Sequence, residues 1–110
     1  MSYSLEKRKL SAGNFIENNG AVLRTINILR YKYNKLTGVQ NVLEGSGIQE
    51  DEFLDSVNFL TEENYIHLRD IASKQPTTLA DTDYRLLEAK VTAKGIRLLA
   101  GGIDDTMIEV

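Results

Sequence analysis

The chain has 110 residues, 42% of them hydrophobic and 26% charged, with one proline and no cysteine. That suffices for one packed domain and excludes a disulfide framework, thiolate chemistry and, with apolar runs only a few residues long, a membrane span. The net charge of −3 is unevenly spread: residues 1–37 hold seven basic against two acidic side chains, and residues 38–70 one basic against eight acidic.

In chain order, residues 1–19 read as a basic N-terminal arm in which residues 3–11 form a short helix ended by Ser11-Ala12-Gly13-Asn14. Glu6, Lys7, Arg8 and Lys9 stand where a secretion signal needs its apolar stretch, so the expected location is the cytoplasm. Asn18-Asn19-Gly20 reads as a stop or cap. A helix over 21–35 follows, with Val22, Ile26, Leu29 and Tyr33 on one face and Arg24, Asn27, Tyr31 and Lys35 opposite. Thr37-Gly38 opens a short helix over 39–44 that buries Val42 or Leu43, and Gly45-Ser46-Gly47 closes it as a turn.

The spacing of Leu54, Val57 and Leu60 predicts a third helix from Glu50 to about Glu63, with Ile48 stapled onto Phe53. Glu50, Asp51 and Glu52 in its first turn favour the helix dipole by up to ~1 kcal/mol each. A strand over 65–71 points Ile66 and Leu68 inward and Tyr65, His67 and Arg69 outward. A polar loop over 72–83 leads to a return strand over 84–91, with Arg85, Leu87, Ala89 and Val91 on one face. Thr92 caps a last helix over 93–100, ended by Gly101-Gly102. Residues 103–110 form a tail with Met107, Ile108 and Val110 to bury. Helix, helix, helix, strand, loop, strand, helix is the order of a winged helix, an α+β, mostly helical fold, here a single domain over 1–110.

The runs Leu60-Thr61-Glu62-Glu63-Asn64-Tyr65-Ile66-His67-Leu68-Arg69-Asp70 and Lys90-Val91-Thr92-Ala93-Lys94-Gly95-Ile96-Arg97-Leu98-Leu99-Ala100-Gly101-Gly102 carry a resemblance. Over roughly residues 20–103 the chain resembles small winged-helix proteins of bacteriophages and prophages, Mu-like ones among them. The shared features are a "leucine, variable, glutamate, glycine, tyrosine, isoleucine" strand start and a "threonine, two variable, glycine" helix start. Asn64 departs from the glycine at the strand start, a mild change because asparagine tolerates the left-handed conformation. The resemblance implies a bacterial host and DNA-associated work such as transcriptional control or packaging, by fold analogy.

Catalytic parts are missing. His67 is the only histidine, and it has no second nitrogen or sulfur ligand and no serine partner. Glu62-Glu63 and Asp104-Asp105 have no neighbours that suggest a metal, and no phosphate-binding glycine pattern occurs. The expectation is a non-enzymatic protein without cofactor or metal.

For double-stranded DNA, the third helix presents the stripe Asp51, Asp55, Asn58 and Glu62. A groove-reading helix normally offers arginine, lysine, asparagine or glutamine. Only Asn58 qualifies, and screening over about 8 Å does not reverse the repulsion. DNA contact is therefore expected through Arg69, Lys74 and Arg85 on the wing and Lys7, Arg8 and Lys9 on the arm, with ordinary solubility an equal account of these cations. The alternative is a protein-interaction adaptor without a nucleic-acid role, using Asp55, Asn58, Phe59 and Glu62. In it Phe59 is exposed unless the arm or tail covers it. Under either reading the expected assembly is a homodimer, the basic first third of one copy meeting the acidic middle third of another, with another phage or host protein as a further expected partner.

Overall fold

The computed structural model describes the backbone of residues 2–110 and the side chains of residues 14–110. It contains α1 (Ser2–Asn27), β1 (Asn34–Lys35), α2 (Leu36–Glu44), α3 (Glu50–Glu62), β2 (Ile66–Asp70), a 3₁₀ turn (Tyr84–Leu86), β3 (Leu87–Val91) and α4 (Ala93–Leu99). The strands form one antiparallel sheet in the order β1-β3-β2. Three helices, a hairpin wing and a C-terminal helix make a winged-helix-like arrangement of the α+β, mostly helical kind. Among the described residues no helix is long and apolar enough to cross a membrane.

The first helix departs from expectation at both ends. The backbone runs unbroken from Ser2 through Asn18-Asn19-Gly20 to Asn27. Asn19 and Gly20 are buried, because the C-terminal tail lies across them. Asn19 Nδ2 donates to the Met107 carbonyl at 2.9 Å, and Arg24 Nη1 donates to the Glu109 carbonyl at 2.7 Å. A Cβ at Gly20 would lie 1.7 Å from the Glu109 oxygen, so this glycine serves close packing and not a helix stop. Ile108 is buried there, while Met107 and Val110 stay exposed.

At its other end α1 stops eight residues before Lys35. The Asn34 side-chain amide lies within 3.1–3.5 Å of the carbonyls of Ile26, Leu29 and Lys32, supplying the terminal oxygens with a donor. Leu29 is thereby left partly exposed in a turn, and Tyr33 leaves the core to stack on Arg69, whose Cζ lies 3.6 Å from the ring centroid. Asn34 and Lys35 pair with Ala89 and Glu88, which adds a third strand to the expected hairpin. The second helix begins earlier than expected, at Leu36, and buries Leu36, Val39, Gln40 and Leu43, with Val42 outside.

The rest follows the sequence pattern more closely. In α3, Phe53, Ser56, Val57 and Leu60 face inward, Leu54 is half-buried, and Glu52 accepts from the Gln49 backbone N–H at 3.1 Å. Residues 84–86 coil into the 3₁₀ turn before β3 begins, because the Asp83 carboxylate accepts from the Arg85 backbone N–H at 2.9 Å, a bond that also holds that carboxyl below its usual range.

The stretches 60–70 and 90–102 meet in space. Asn64 adopts a φ of 64°, as its place at the strand start requires. Thr92 donates its hydroxyl to the Asn64 carbonyl at 2.7 Å and accepts from the Gly95 backbone N–H at 3.0 Å. Its own backbone N–H donates to the Tyr65 carbonyl at 3.0 Å. The start of the wing and the start of α4 therefore form one junction.

Tyr65 is buried at that junction, not outward as alternation suggests. Its hydroxyl donates to Asp105 at 2.6 Å, and Lys94 Nζ lies 4.6 Å from its ring centroid. Burial first, and then the neighbouring Asp105 carboxylate, push the phenol well above its usual range. The phenol ionises at about pH 10 in the unfolded chain and only at higher pH in the folded one, so the unfolded state loses its proton first. Stability from this group is complete below pH 10 and falls above it, by at most about 1.4 kcal/mol per pH unit. Urea melts of wild type and Tyr65→Phe between pH 8 and about 11 check this; the variant should lose less stability over the alkaline arm.

Candidate functional site

Strand alternation sorts the sheet into two faces. Leu87, Ala89 and Val91 of β3 and Ile66 and Leu68 of β2 are buried against the helices. The residues between them point outward, and the register aligns Lys35 with Glu88 and Arg69, and Lys90 with His67.

Glu88 is the centre of this outer face. It is only 6% exposed, which for a carboxylate demands partners. Arg69 Nη2 lies 3.2 Å from one of its oxygens and Lys74 Nζ 3.1 Å from the other. The wing places both cations: Arg69 by register on β2, and Lys74 by the tight turn after it. In that turn Asp70 accepts from the backbone N–H groups of Ala72 and Ser73 at 2.9 and 2.8 Å, and Lys74 takes a φ of 62°. These bonds, that of Ser73 foremost, hold the Asp70 carboxyl below its usual range. One buried anion thus neutralises one of two cations. With Lys35 and Lys90, the outer face carries four cations around one carboxylate. His67 is exposed at its edge.

Arg85 lies apart from this group. It pairs with Asp83 at 3.1 Å and approaches Glu50 of α3 at 3.9 Å. Asp83, the first of these, raises its pKa. Both its acidic neighbours are about half exposed, so the pairs orient the guanidinium more than they stabilise the fold. Lys7, Arg8 and Lys9 fall on the N-terminal turns of α1, and their side chains lie outside the described residues.

The acidic face of α3 is elsewhere. Asp55, Asn58 and Glu62 are exposed, and Asp51, Glu52, Leu54, Asp55 and Asn58 line a shallow depression completed by Leu79 and Ala80 of the wing loop. Among the described residues no cation lines it, and Arg85 lines the adjoining depression that shares Leu54, Leu79 and Ala80. Phe59 is half-buried because Phe15 of α1 packs edge-on against it, with ring centroids 5.3 Å apart. Of the two arrangements the sequence leaves open for Phe59, exposure or cover by the arm or tail, the chain adopts cover by a residue of the N-terminal arm.

Sequence reasoning did not bring Lys35 and Lys90 together with Arg69 and Lys74. Sequence spacing puts Lys35 at the end of a helix, and only its pairing with β3 turns it onto this face. Alternation puts Lys90 on a strand, but its neighbours depend on register, which the sequence does not print. Among the described residues, no group of three or more His, Asp or Glu is placed to hold a metal ion. Comparison with protein-family models, with curated proteins and with solved structures finds no match for this chain.

Proposed function

We propose that this winged-helix-like chain is a non-enzymatic binding domain that holds the phosphates of double-stranded DNA on the outer face of its sheet. The observation that carries this reading is the arrangement of Lys35, Arg69, Lys74 and Lys90 around the single buried carboxylate of Glu88. Lys7, Arg8 and Lys9 of the N-terminal turns extend the same chemistry. α3 takes no part, because an acidic helix face approaching a polyanion is repelled where it would need cations. Such contact positions a protein on a duplex without reading bases, so binding is weak, salt-sensitive and tolerant of sequence. The setting, DNA-associated work of a phage in the cytoplasm of its bacterial host, rests on the resemblance of the two junction motifs.

A gel shift at low salt tests this. Lys35→Glu combined with Lys90→Glu should abolish the shifted band, while Glu88→Gln, which releases one net positive charge, should strengthen binding several-fold. A double variant that shifts DNA like wild type overturns the proposal. The second reading, a protein-interaction adaptor, is favoured by the apolar side chains exposed around the turn between α1 and α2.

A further inference from the structure

The most conspicuous apolar surface is that turn and the helix beside it. Ile28 is 75% exposed, Tyr31 73% and Val42 59%. Ile28 and Val42, together with Leu29, Val39 and Gly38, border a groove of about 240 Å³, and Tyr31 lies on the same turn outside its lining. Gly38 has no reason within the chain to be glycine. Its φ is not left-handed, and a Cβ there would meet no atom within 4 Å. A helical glycine facing open space beside exposed aliphatic side chains leaves room for something outside the molecule.

The charge around this patch is of one sign. Arg30, Lys32 and Lys35 flank it, none of them in an ion pair among the described residues, and no acidic residue occurs between Glu17 and Glu44. A two-fold pairing of this patch with itself would set these cations against one another. The same chain carries the complement on α3. The depression there has a volume of about 600 Å³, an apolar floor of half-buried Leu54 and Leu79, and a rim of Asp51, Glu52 and Asp55. It is shallow and open, so the turn would lie across it, and its charge is opposite in sign to that of the turn.

We propose that the chain self-associates head to tail, with the apolar, cation-flanked turn of one copy seated on the acidic α3 face of the next. Lys35 borders both this patch and the sheet face of the DNA reading, so the charges tested here are Arg30, Lys32, Asp51 and Asp55, which the DNA reading does not use. A heterologous contact of this kind repeats into a ring or an open chain of copies.

Light scattering of the full chain at rising concentration and low salt tests it. The wild type should grow in mass with concentration, and added salt should reverse the growth. Arg30→Gln/Lys32→Gln and Asp51→Asn/Asp55→Lys should each stay monomeric. Mixed in equal amounts they should form a 1:1 dimer and nothing larger, because one intact turn and one intact α3 face remain. Val42→Glu, a change at an exposed position, should also prevent growth while leaving the melting temperature unchanged. A wild type that is monomeric throughout overturns the proposal, as does a mixture that fails to pair. Association that salt strengthens, or that persists in the Asp51→Asn/Asp55→Lys variant, identifies the two-fold pairing instead and also overturns it.

Discussion

Phe53→Ala should destabilise the chain by about 3–5 kcal/mol, the usual cost of truncating a fully buried aromatic side chain. Phe53 is 0% exposed, and its ring meets that of Tyr84 edge-on, with centroids 6.3 Å apart. It therefore joins α3 to the 3₁₀ turn from which β3 leaves. Tyr84 in turn reaches Glu50 through its hydroxyl at 3.4 Å, so losing the ring loosens a packed pair and its polar link together. Total stabilities of small domains are roughly 5–15 kcal/mol, so the variant should be near its unfolding limit at room temperature. Thermal melts followed by circular dichroism should fall by on the order of 15 °C. A drop of only a few degrees would mean that α3 and the wing are less tightly joined than described.

Gly95→Ala should cost about 1–3 kcal/mol, although alanine is the better helix former. A Cβ at this position would lie 2.6 Å from the Tyr65 carbonyl oxygen and 2.6 Å from Val91 Cγ2. The first of these is backbone already accepting from Thr92, so it cannot move aside without breaking the junction between β2 and α4. Chemical denaturation is the check. Gly38→Ala is the control: with no atom near its Cβ it should stabilise α2 by about 0.5–1 kcal/mol. Equal effects at the two glycines would refute the close-packing account of the threonine-to-glycine motif.

These two positions show how the fold was and was not legible. Leu54, Val57 and Leu60 recur at helical spacing, and Ile66 and Leu68 alternate, so α3 and β2 could be read from local pattern alone. Thr92 as a cap and Asn64 as a left-handed residue were equally local. What failed depended on distant partners. Asn19 and Gly20 look like a helix stop until Met107 and Glu109 are laid across them. Tyr33, Asn34 and Lys35 continue a helical pattern until the Asn34 amide ends α1 and β3 offers an edge. Tyr65 alternates outward until Asp105 reaches its hydroxyl.

The candidate site suffered most from this, because it is a matter of register. Arg69 and Lys74 were legible as wing cations. Their shared carboxylate, Glu88, was legible only as one face of a return strand, and Lys35 was on the wrong element altogether. The acidic stripe of α3 needed no tertiary knowledge, and the geometry leaves Asp55, Asn58 and Glu62 exposed.

The central claim is that cations gathered on the outer face of the sheet, and not the third helix, contact nucleic acid. Anisotropy of a labelled duplex, titrated with the protein across a series of salt concentrations, tests it most directly. The four cations of the sheet face, less the one neutralised by Glu88, predict a slope of roughly −3 for log K against log salt, made steeper by whatever contacts Lys7, Arg8 and Lys9 add. Lys90→Glu should lower the affinity and flatten that slope, whereas Asp55→Lys should leave the slope as it is. No binding at the lowest salt, or a Lys90→Glu protein that reproduces the wild-type slope, would contradict the account.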